Sequence, residues 1–475
     1  MDREDWLFPQ NSSDIEQFFI TLRTFANLNG ISRKDNIQQI LMEEHSKQGK
    51  YNPYIEKNHH DLSSANHKID EPRFYGAIYE TPNKKIHVSS YGELLLKYEN
   101  DIVKKNKVFI AMLCIVQFYN PYKKLKNFNI YPLRLIFKLL IDERIGYLTN
   151  LEVASILYKV KSVESYEVYE KIVKEIIDLR NKNEIDRAKY IYNNPTQLIK
   201  NYVSCNFMFN MITNLNIVNK QKMLNNIKIQ SVLRKKPTTI TECKFTIDDI
   251  YKLFISKLLK EYKITEPVKN ITGLRSDWIR EIYNSVPSVL LESISESDKV
   301  YSQYLQIPKL LVESSTDSTK WDLFEEYITK GFNLFEDVKA ETIGGPGQPD
   351  TLARFVKNNC IFCADGKSTN KKLTSINNGR LRQHRDLYNA KYTIVVTPGY
   401  VPSAVQDIKN TETCIITSHC FADLITKYIF KLYKNKEECS YEIINELILN
   451  NLGTDISDKI YNIIDERLGI SVDML

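Results

Sequence analysis

The last third of the chain changes its hydrophobic and polar pattern in four successive steps. Residues 320–335 repeat apolar positions at helical spacing, which predicts an amphipathic helix. Two apolar segments then flank a turn at 357–359, which predicts a β-hairpin. Residues 373–400 predict a second helix and then a strand at Tyr392–Thr397. We therefore expect the order helix, hairpin, helix, strand.

The front of the chain mixes helical patterns with one hairpin pattern. Residues 14–48 have helical periodicity, and residues 74–98 predict a strand, a turn, a second strand and a helix that opens at Ser89 or Ser90. A winged-helix module needs helices followed by such a β-ribbon, whose wing would expose Asn83, Lys84 and Lys85 to DNA. A surface hairpin whose polar tip is only solvated, with no role in binding, fits the same pattern.

A second group of elements follows in the front half. Residues 108–118 predict a buried helix, and residues 120–128 form a loop that is basic and aromatic. Lys123, Lys124 and Lys126 in this loop either bind phosphates or only keep the loop solvated. Another helix is predicted within residues 131–149, and Thr149 with Glu152 has the spacing of a capping box at the start of the next helix.

The predicted elements divide a chain of 475 residues into three parts. We predict a DNA-recognition region at 1–285 with a possible division near 150, a helical linker at 286–318 and a catalytic domain at 319–475. The segment 311–320 is the predicted hinge, because it is rich in Ser and Thr. The fold class is multi-domain α+β, with a largely helical front that contains winged-helix-like units.

The chemistry of the chain concentrates in the predicted hairpin. Asp350 stands at the start of its first strand, and Asp365 and Lys367 lie two residues apart on its second strand. Residues two apart on a strand project from the same face, so two carboxylates and one ammonium converge. Carboxylates with carbonyls and waters suit Mg²⁺, and a lysine there can activate water. This arrangement is typical of a site that cleaves phosphodiesters.

Composition sets outer limits on this interpretation. The hydrophobic fraction of 43% is that of a globular protein. Because no run of 18 apolar residues occurs and the N-terminus is polar, we expect neither a membrane span nor a signal peptide. Eight cysteines in so long a chain indicate reduced thiols and a cytoplasmic location. The Cys360-x-x-Cys363 spacing has no second pair and indicates core packing, and His59 and His60 indicate a loop.

The net charge of +6 is unevenly distributed. From residue 316 onward there are 19 Lys/Arg and 22 Asp/Glu, a balance of −3, which leaves 46 and 37, or +9, for residues 1–315. Since a polyanion is bound by basic surfaces, we expect residues 1–315 to bind DNA and the remaining residues to cut it. Unequal solvated surfaces would produce the same balance.

The residues of the hairpin resemble the PD-(D/E)XK nucleases, with Pro349-Asp350 as one half of the motif and Asp365-Gly366-Lys367 as the other. The resemblance implies an α/β/α domain with a mixed central sheet. It also implies that Asp350 and Asp365 bind Mg²⁺, that Lys367 activates water, and that an acid on the preceding helix, assigned to Glu326, supports the metal.

Three further stretches are similar to the AlwI-type family of Type IIS restriction endonucleases: YGAIYETPNKKIHVSSYGELL, QFYNPY and YPLRLIFKLLIDERIGYLTNLEVA. The C-terminal part also resembles the FokI cleavage domain. This resemblance places the polar residue of the following helix at Gln383 or His384. Arg380 and Arg382 on the same predicted helix are candidates for contact with the DNA backbone. His384 is either a surface residue, a phosphate contact or a proton-transfer group.

These predictions converge on a Mg²⁺-dependent, Type IIS-like restriction endonuclease that recognises a short asymmetric duplex site and cuts at a fixed distance. Cutting both strands would need transient pairing of two cleavage domains or a small catalytic subunit. A cognate DNA methyltransferase is the expected partner system. The alternatives are a strand-specific nicking enzyme, the large subunit of a heterodimer, and a winged-helix DNA-binding regulator with an inactive nuclease-like domain.

Overall fold

The structure is a computed structural model of the whole chain. It describes residues 5–9, 14–28, 30–32, 36–50, 63–81, 84–118, 127–230, 237–269, 282–283, 286–294, 299–434 and 440–467. The chain forms two compact units that meet in sequence between Ile294 and Ser295. Within the described ranges, no helix is both long enough and apolar enough to cross a membrane.

The first unit is mainly helical, and two small sheets are built into it. Its described helices are α1 Ile15–Asn27, α2 Ile37–Lys47, α3 Ser63–Tyr75, α4 Ser90–Lys97, α5 Ile102–Leu113, α6 Pro132–Ile141, α7 Asn150–Ser155, α8 Tyr166–Asn181, α9 Glu184–Ile191, α10 Pro195–Asn214, α11 Asp249–Glu261 and α12 Ser288–Ile294. Its strands are β1 Ile31–Ser32, β2 Ile78–Glu80, β3 Lys85–Val88, β4 Leu148–Thr149, β5 Val218–Ile229 and β6 Thr238–Ile247.

The predicted hairpin of the front is confirmed as β2 and β3. The two strands pair antiparallel in a sheet of order β1-β3-β2, and Lys84 occupies the turn with a positive φ of 64°. The Ser89 hydroxyl accepts a hydrogen bond from the amide of Gly92 and so starts α4 at the predicted place. Gly92 itself is required, because a Cβ there would lie 2.2 Å from the carbonyl oxygen of Ala77. The winged-helix character of this part stays a prediction.

Two further predictions for the first unit have different outcomes. The capping box is confirmed: the Thr149 hydroxyl accepts from the Glu152 amide, and the Glu152 carboxylate accepts from the Thr149 amide. The helix predicted at 108–118 is wrong in its extent. It begins at Ile102 and ends at Leu113, while the apolar residues that follow it are buried without being helical. Because the residues on both sides of the helix end are apolar and buried, the hydrophobicity pattern does not change where the helix stops.

The second unit is a five-stranded mixed sheet with helices on both faces. The sheet order is β11-β10-β9-β8-β7, antiparallel from β7 to β9 and parallel from β9 to β11. The strands are β7 Val338–Thr342, β8 Thr351–Phe355, β9 Cys360–Gly366, β10 Thr393–Thr397 and β11 Thr413–Thr417. The described helices are α13 Lys299–Ser315, α14 Trp321–Phe332, α15 Asn378–Tyr388, α16 Pro402–Ile408, α17 Ser418–Lys434, α18 Glu442–Leu449 and α19 Ser457–Arg467.

Each face of this sheet has its own core. On one face, Phe332 of α14 packs against Phe362 of β9 and Phe421 of α17, with ring centroids 5.2 Å and 4.7 Å away. On the other face, Leu381 of α15 packs in a cluster with Val395 and Ile415. The sheet therefore separates two apolar layers, which agrees with the mixed sheet and the helix, hairpin, helix, strand order expected from the sequence.

The segment predicted as a helical linker, 286–318, is divided between the two units. Helix α12 belongs to the first unit, whereas α13 belongs to the second and packs along α14 and α17. The hinge predicted at 311–320 is wrong, because α13 continues to Ser315 and a 3-10 turn at Ser318–Lys320 leads directly into α14. The Ser315 hydroxyl also lies 2.9 Å from the Ser418 hydroxyl. Polar residues at 311–320 therefore take part in helix ends and helix packing.

Candidate active site

Asp365 and Lys367 lie at the end of β9, as strand alternation predicts. Asp365 is 1% exposed, and its carboxylate forms an ion pair with the ammonium of Lys367, which is 34% exposed. Asp365 is paired in register with Val395 of β10, so its side chain shares the face that α15 covers. Lys367 continues the strand geometry by donating its amide to the carbonyl of Val396. The predicted neighbourhood of the two side chains is confirmed.

Asp350 lies directly before β8 and reaches the end of β9. Its Oδ2 accepts a hydrogen bond of 2.8 Å from the amide of Gly366, the residue between Asp365 and Lys367. The carboxyl is almost fully buried, and this burial, followed by the nearby carboxylate of Asp365, raises the pKa of Asp350 to about 7. Two carboxyl groups thus share a small, poorly solvated space beside one ammonium.

The donor set fits a hard divalent cation. The Oδ1 atom of Asp365 is buried and accepts no hydrogen bond within the described part of the chain. Among the described residues, no group of three or more His, Cys, Asp and Glu side chains is close enough to form a complete cage. Mg²⁺ is commonly held by one or two carboxylates together with waters and phosphate oxygens, so Asp350 and Asp365 suffice for such a site.

Of the two adjacent acids of α14, Glu325 is the one influenced by the charges of Lys367 and Asp365, whereas the role predicted for Glu326 stays a prediction. Glu326 forms an exposed ion pair with Lys330 at 2.5 Å, one helical turn away. Glu325 is half-buried, and burial first, then the charges of Lys367 and Asp365, shift its pKa, with a net rise. Successive residues on a helix point about 100° apart, so only one of the two can face the acids.

A signal for this choice was present in the sequence. The buried positions of α14 include Phe324 and Ile328, whose side chains would be the nearest neighbours of a Cβ placed on Gly366. Glu325 follows Phe324 and precedes Ile328 by three residues, which places it at the border of the buried face. The helical phase of the apolar residues therefore favours Glu325 over Glu326.

Helix α15 brings His384 toward the site and leaves Gln383 exposed. His384 is 1% exposed, and its Nε2 lies 3.4 Å from the Nε of Arg380, from which it accepts. Burial is the main reason that the pKa of His384 is lowered, against the opposing charge of Asp365. The ring is thus neutral near pH 7, and its buried Nδ1 has no hydrogen-bond partner among the described residues.

The arginines of α15 fall into two groups. Arg380 and Arg382 are exposed, and Arg382 forms a long 3.9 Å ion pair with Asp386. Arg385 is buried, and its guanidinium donates to the hydroxyls of Thr393 and Thr413 and to the Glu412 carboxylate, so it anchors the helix to the sheet. Arg380 donates a hydrogen bond to His384, and its positive charge acts to lower the pKa of Glu325 against the net rise.

The remaining predicted residues belong to the first unit, to the core of the second unit, or to the part of the chain outside the described residues. Lys84 and Lys85 are exposed at the β2–β3 hairpin of the first unit, where Lys84 lies 3.7 Å from Glu80. Asn83, Lys123, Lys124 and Lys126 lie outside the described residues, as do His59 and His60. Cys360 and Cys363 are buried free thiols, and burial raises the pKa of both, as expected of core residues.

Comparison with known proteins identifies the family. Residues 1–262 match the family model described as the N-terminal domain of the Type II restriction endonuclease HgaI. The Type II restriction enzyme HgaI of Avibacterium volantium is 33% identical in an alignment of 491 positions, gaps included, that covers 98% of each chain. Among solved structures, the restriction endonuclease FokI aligns with a TM-score of 0.30 at 11% identity over 95% of this chain and 100% of its own. The BpuJ1 endonuclease binding domain in complex with modified DNA aligns with a TM-score of 0.34 at 11% identity, over 59% and 97%. The extent of the first two matches shows that the chain belongs to the HgaI family of Type II restriction endonucleases.

Proposed function

We propose that this protein is a Mg²⁺-dependent, Type IIS-like DNA endonuclease that hydrolyses phosphodiester bonds at the site formed by Asp350, Asp365 and Lys367. The observation that carries the proposal is the burial of two carboxyl groups against one lysine at the end of β9. Family membership supports the substrate, because the relative with the full-length match is named as a restriction enzyme. The AlwI-type and FokI-like resemblances stay predictions within this proposal.

Asp350 and Asp365 would hold the cation directly, and Glu325 would contact it indirectly, through a water molecule. When bound, Mg²⁺ neutralises the charge that develops on the phosphoryl oxygens. Lys367 lies beside Asp365, and its ammonium would orient the attacking water, whose proton passes to solvent as its oxygen bonds to phosphorus. The bond between phosphorus and the leaving oxygen then breaks, and a proton from solvent or from a neighbouring side chain reaches that oxygen.

His384 and Arg380 form the wall of the site contributed by α15. The neutral His384 ring offers its Nδ1 as a buried polar atom, and Arg380 offers an exposed guanidinium suited to phosphate oxygens. We assign Arg380 to the DNA backbone, while Arg382, Gln383, Lys84 and Lys85 remain candidates because all four are exposed. Lys123 and Lys124 are retained as candidates on sequence grounds alone.

The two units divide the work in this proposal. The first unit would recognise a short asymmetric duplex sequence, and the second would cut at a fixed distance from it. In the described part of each chain, Asp350 and Asp365 form one such site, so cutting both strands would need a second copy or a small catalytic subunit, and a nicking enzyme is the corresponding alternative. A cognate DNA methyltransferase would protect the host DNA.

The test uses a matched pair of adjacent acids. With supercoiled plasmid and Mg²⁺, we expect Glu325→Gln to lower the cleavage rate by about 10²-fold or more, whereas Glu326→Gln stays near the wild-type rate. Asp365→Asn should abolish cleavage while plasmid binding without metal persists. Equal effects of the two glutamate variants would reject the role of Glu325, and cleavage by Asp365→Asn would reject the site.

A further inference from the structure

The longest strands of the first unit form a ribbon that the proposed site leaves unexplained. Strands β5 and β6 pair antiparallel from Val218↔Ile247 to Ile229↔Thr238. Strand β4 covers β6 only at Lys244 and Phe245, so in the described structure the outer half of the ribbon has two strands. A two-stranded ribbon is one of the shapes that the major groove of DNA admits.

One face of this ribbon carries three lysines. Directly paired residues of an antiparallel ladder project to the same face. The pairs Lys220↔Phe245, Lys222↔Cys243, Asn226↔Thr241 and Lys228↔Thr239 all use odd-numbered residues of β6. The register shift between Lys222 and Asn226 adds two residues to β5, which preserves the alternation, so all four β5 side chains share one face. We call this set, with Thr239 and Thr241, the lysine face.

The β5 side chains of the lysine face are exposed, although Cys243 and Phe245, which pair with Lys222 and Lys220 on the same face, are buried. Lys220, Lys222, Asn226 and Lys228 are all exposed. On the other face, Ile240 is buried and Glu242 is held by Arg187, whose guanidinium lies within hydrogen-bond distance of the carboxylate. The acid of the ribbon therefore points away from the lysines.

The charge of the lysine face is not compensated within the described residues. None of its three ammonium groups forms an ion pair there, and Lys220 donates only to the amide oxygen of Asn210, at 3.0 Å. Together β5 and β6 hold four lysines and a single acid, Glu242. Thr241 donates to the side-chain oxygen of Asn226 at 2.8 Å, which leaves the Asn226 amide hydrogens available as donors.

We propose that the lysine face of the β5–β6 ribbon binds the phosphate backbone of duplex DNA. This inference rests on the proposed function, since it names a surface by which the first unit holds its substrate. A row of ammonium groups on alternate strand residues, with no acid on the same face, matches a polyanion. Hydrogen-bonding side chains between the lysines suit the groove edge that such a ribbon would meet.

The test compares two pairs of lysines in the full-length chain. Lys222→Gln with Lys228→Gln removes two charges from the lysine face, and Lys171→Gln with Lys174→Gln removes two charges from exposed positions of α8. Binding to a mixed-sequence duplex is measured without divalent metal over a range of salt concentrations. For the ribbon variant, we expect the slope of log affinity against log salt concentration to become less negative by about 1.8. Its affinity near 0.1 M salt should fall on the order of 10- to 100-fold. The α8 variant should keep the wild-type slope.

Three outcomes would overturn the proposal. These are an unchanged slope in the ribbon variant, an equal loss in both variants, and self-association of the ribbon variant with unchanged affinity. The last result would mean that the lysines only protect an edge strand from pairing. Circular dichroism confirms that both variants fold. If the wild type neither binds nor cuts DNA, the proposed function fails. If it does both and the ribbon variant matches it, only the inference fails.

Discussion

At the residue scale, the ionised carboxylate of Asp350 is unfavourable in its buried position. Asp350 is buried next to Asp365, and both causes favour its protonated form, so its pKa rises to about 7. Each ionised carboxyl in such a place opposes folding when no cation is bound. The same feature supports the proposed cation site, because a bound divalent ion would remove the repulsion. Function and stability therefore compete at Asp350.

This competition predicts a pH-dependent stability difference. The folded-state pKa of Asp350 lies above its unfolded value, so the wild type loses stability as pH rises from about 4 to about 7. We expect Asp350→Asn, measured by urea unfolding in a chelator, to be more stable than the wild type at pH 8 by about 2–4 kcal/mol. At pH 4 the difference should vanish.

Added Mg²⁺ supplies the control for this measurement. At pH 8 the ion should stabilise the wild type, because ligands that bind only the folded state raise its unfolding free energy. The variant should gain much less. A wild type that is more stable than Asp350→Asn at pH 8 in chelator would contradict the assigned burial.

At the element scale, helix α14 is positioned by a contact with β9. Gly366 faces this helix, and a Cβ there would lie 2.9 Å from the Cδ1 of Ile328 and 3.2 Å from the Cδ1 of Phe324. Glu325 stands between these two residues in sequence. The amide of Gly366 also binds Asp350. The glycine between the two motif residues thus sets the distance from the helix acid to the strand carboxylates.

Gly366→Ala should therefore lower cleavage with little effect on DNA binding. The new methyl group pushes α14 away from β9 and moves Glu325, and we expect a loss of about 10-fold or more in cleavage rate, since misplacement of about 1 Å is costly in catalysis. Plasmid cleavage and binding without metal are measured side by side.

Gly331→Ala is the matched control on the same helix. Its Cβ would lie 2.5 Å from the Cδ1 of Ile425 on α17, away from the carboxylates. Both variants should lower the thermal midpoint, but only Gly366→Ala should lower the rate of the folded enzyme. If the two variants lose activity equally after correction for folding, the positioning role of Gly366 is rejected.

At the scale of the whole molecule, the proposed DNA-binding surfaces and the proposed cleavage site belong to different units. The ribbon and the β2–β3 hairpin belong to the first unit, and the carboxylates belong to the second. This agrees with the basic excess of residues 1–315 and the slightly acidic balance of the remainder. If one set of carboxylates cuts one strand at a time, as proposed, the number of chains at the cut decides the product.

Under the proposed pairing of cleavage domains, the product should depend on enzyme concentration. At low enzyme relative to plasmid, we expect nicked circles to accumulate, and linear DNA should rise more steeply than in proportion to enzyme. Gel analysis of supercoiled plasmid measures both. Mixing the wild type with Asp365→Asn supplies the control, because inactive chains that join the assembly should enrich nicked product. Nicked circles as the sole product at every concentration would favour the nicking enzyme.

Local patterns by themselves determined much of this protein. Alternation along β9 placed Asp365 and Lys367 side by side, and the start of α4 and the capping box at Thr149 followed from short hydrogen-bonding motifs. The order of elements around the carboxylates also followed from periodicity. These features depend on residues at most a few positions apart, so the sequence contains their full cause.

Tertiary structure decided the features that depend on distant contacts. Packing of Phe324 and Ile328 over β9 orients helix α14 and with it Glu325 and Glu326, and packing along α14 and α17 joins α13, part of the predicted helical linker, to the second unit. Burial between α15 and two strands made Arg385 an anchor. The two-residue shift in β5 likewise aligned the lysine face only through its pairing with β6. A residue's own neighbours in sequence do not specify which distant element covers it, and that contact chose its role in each case.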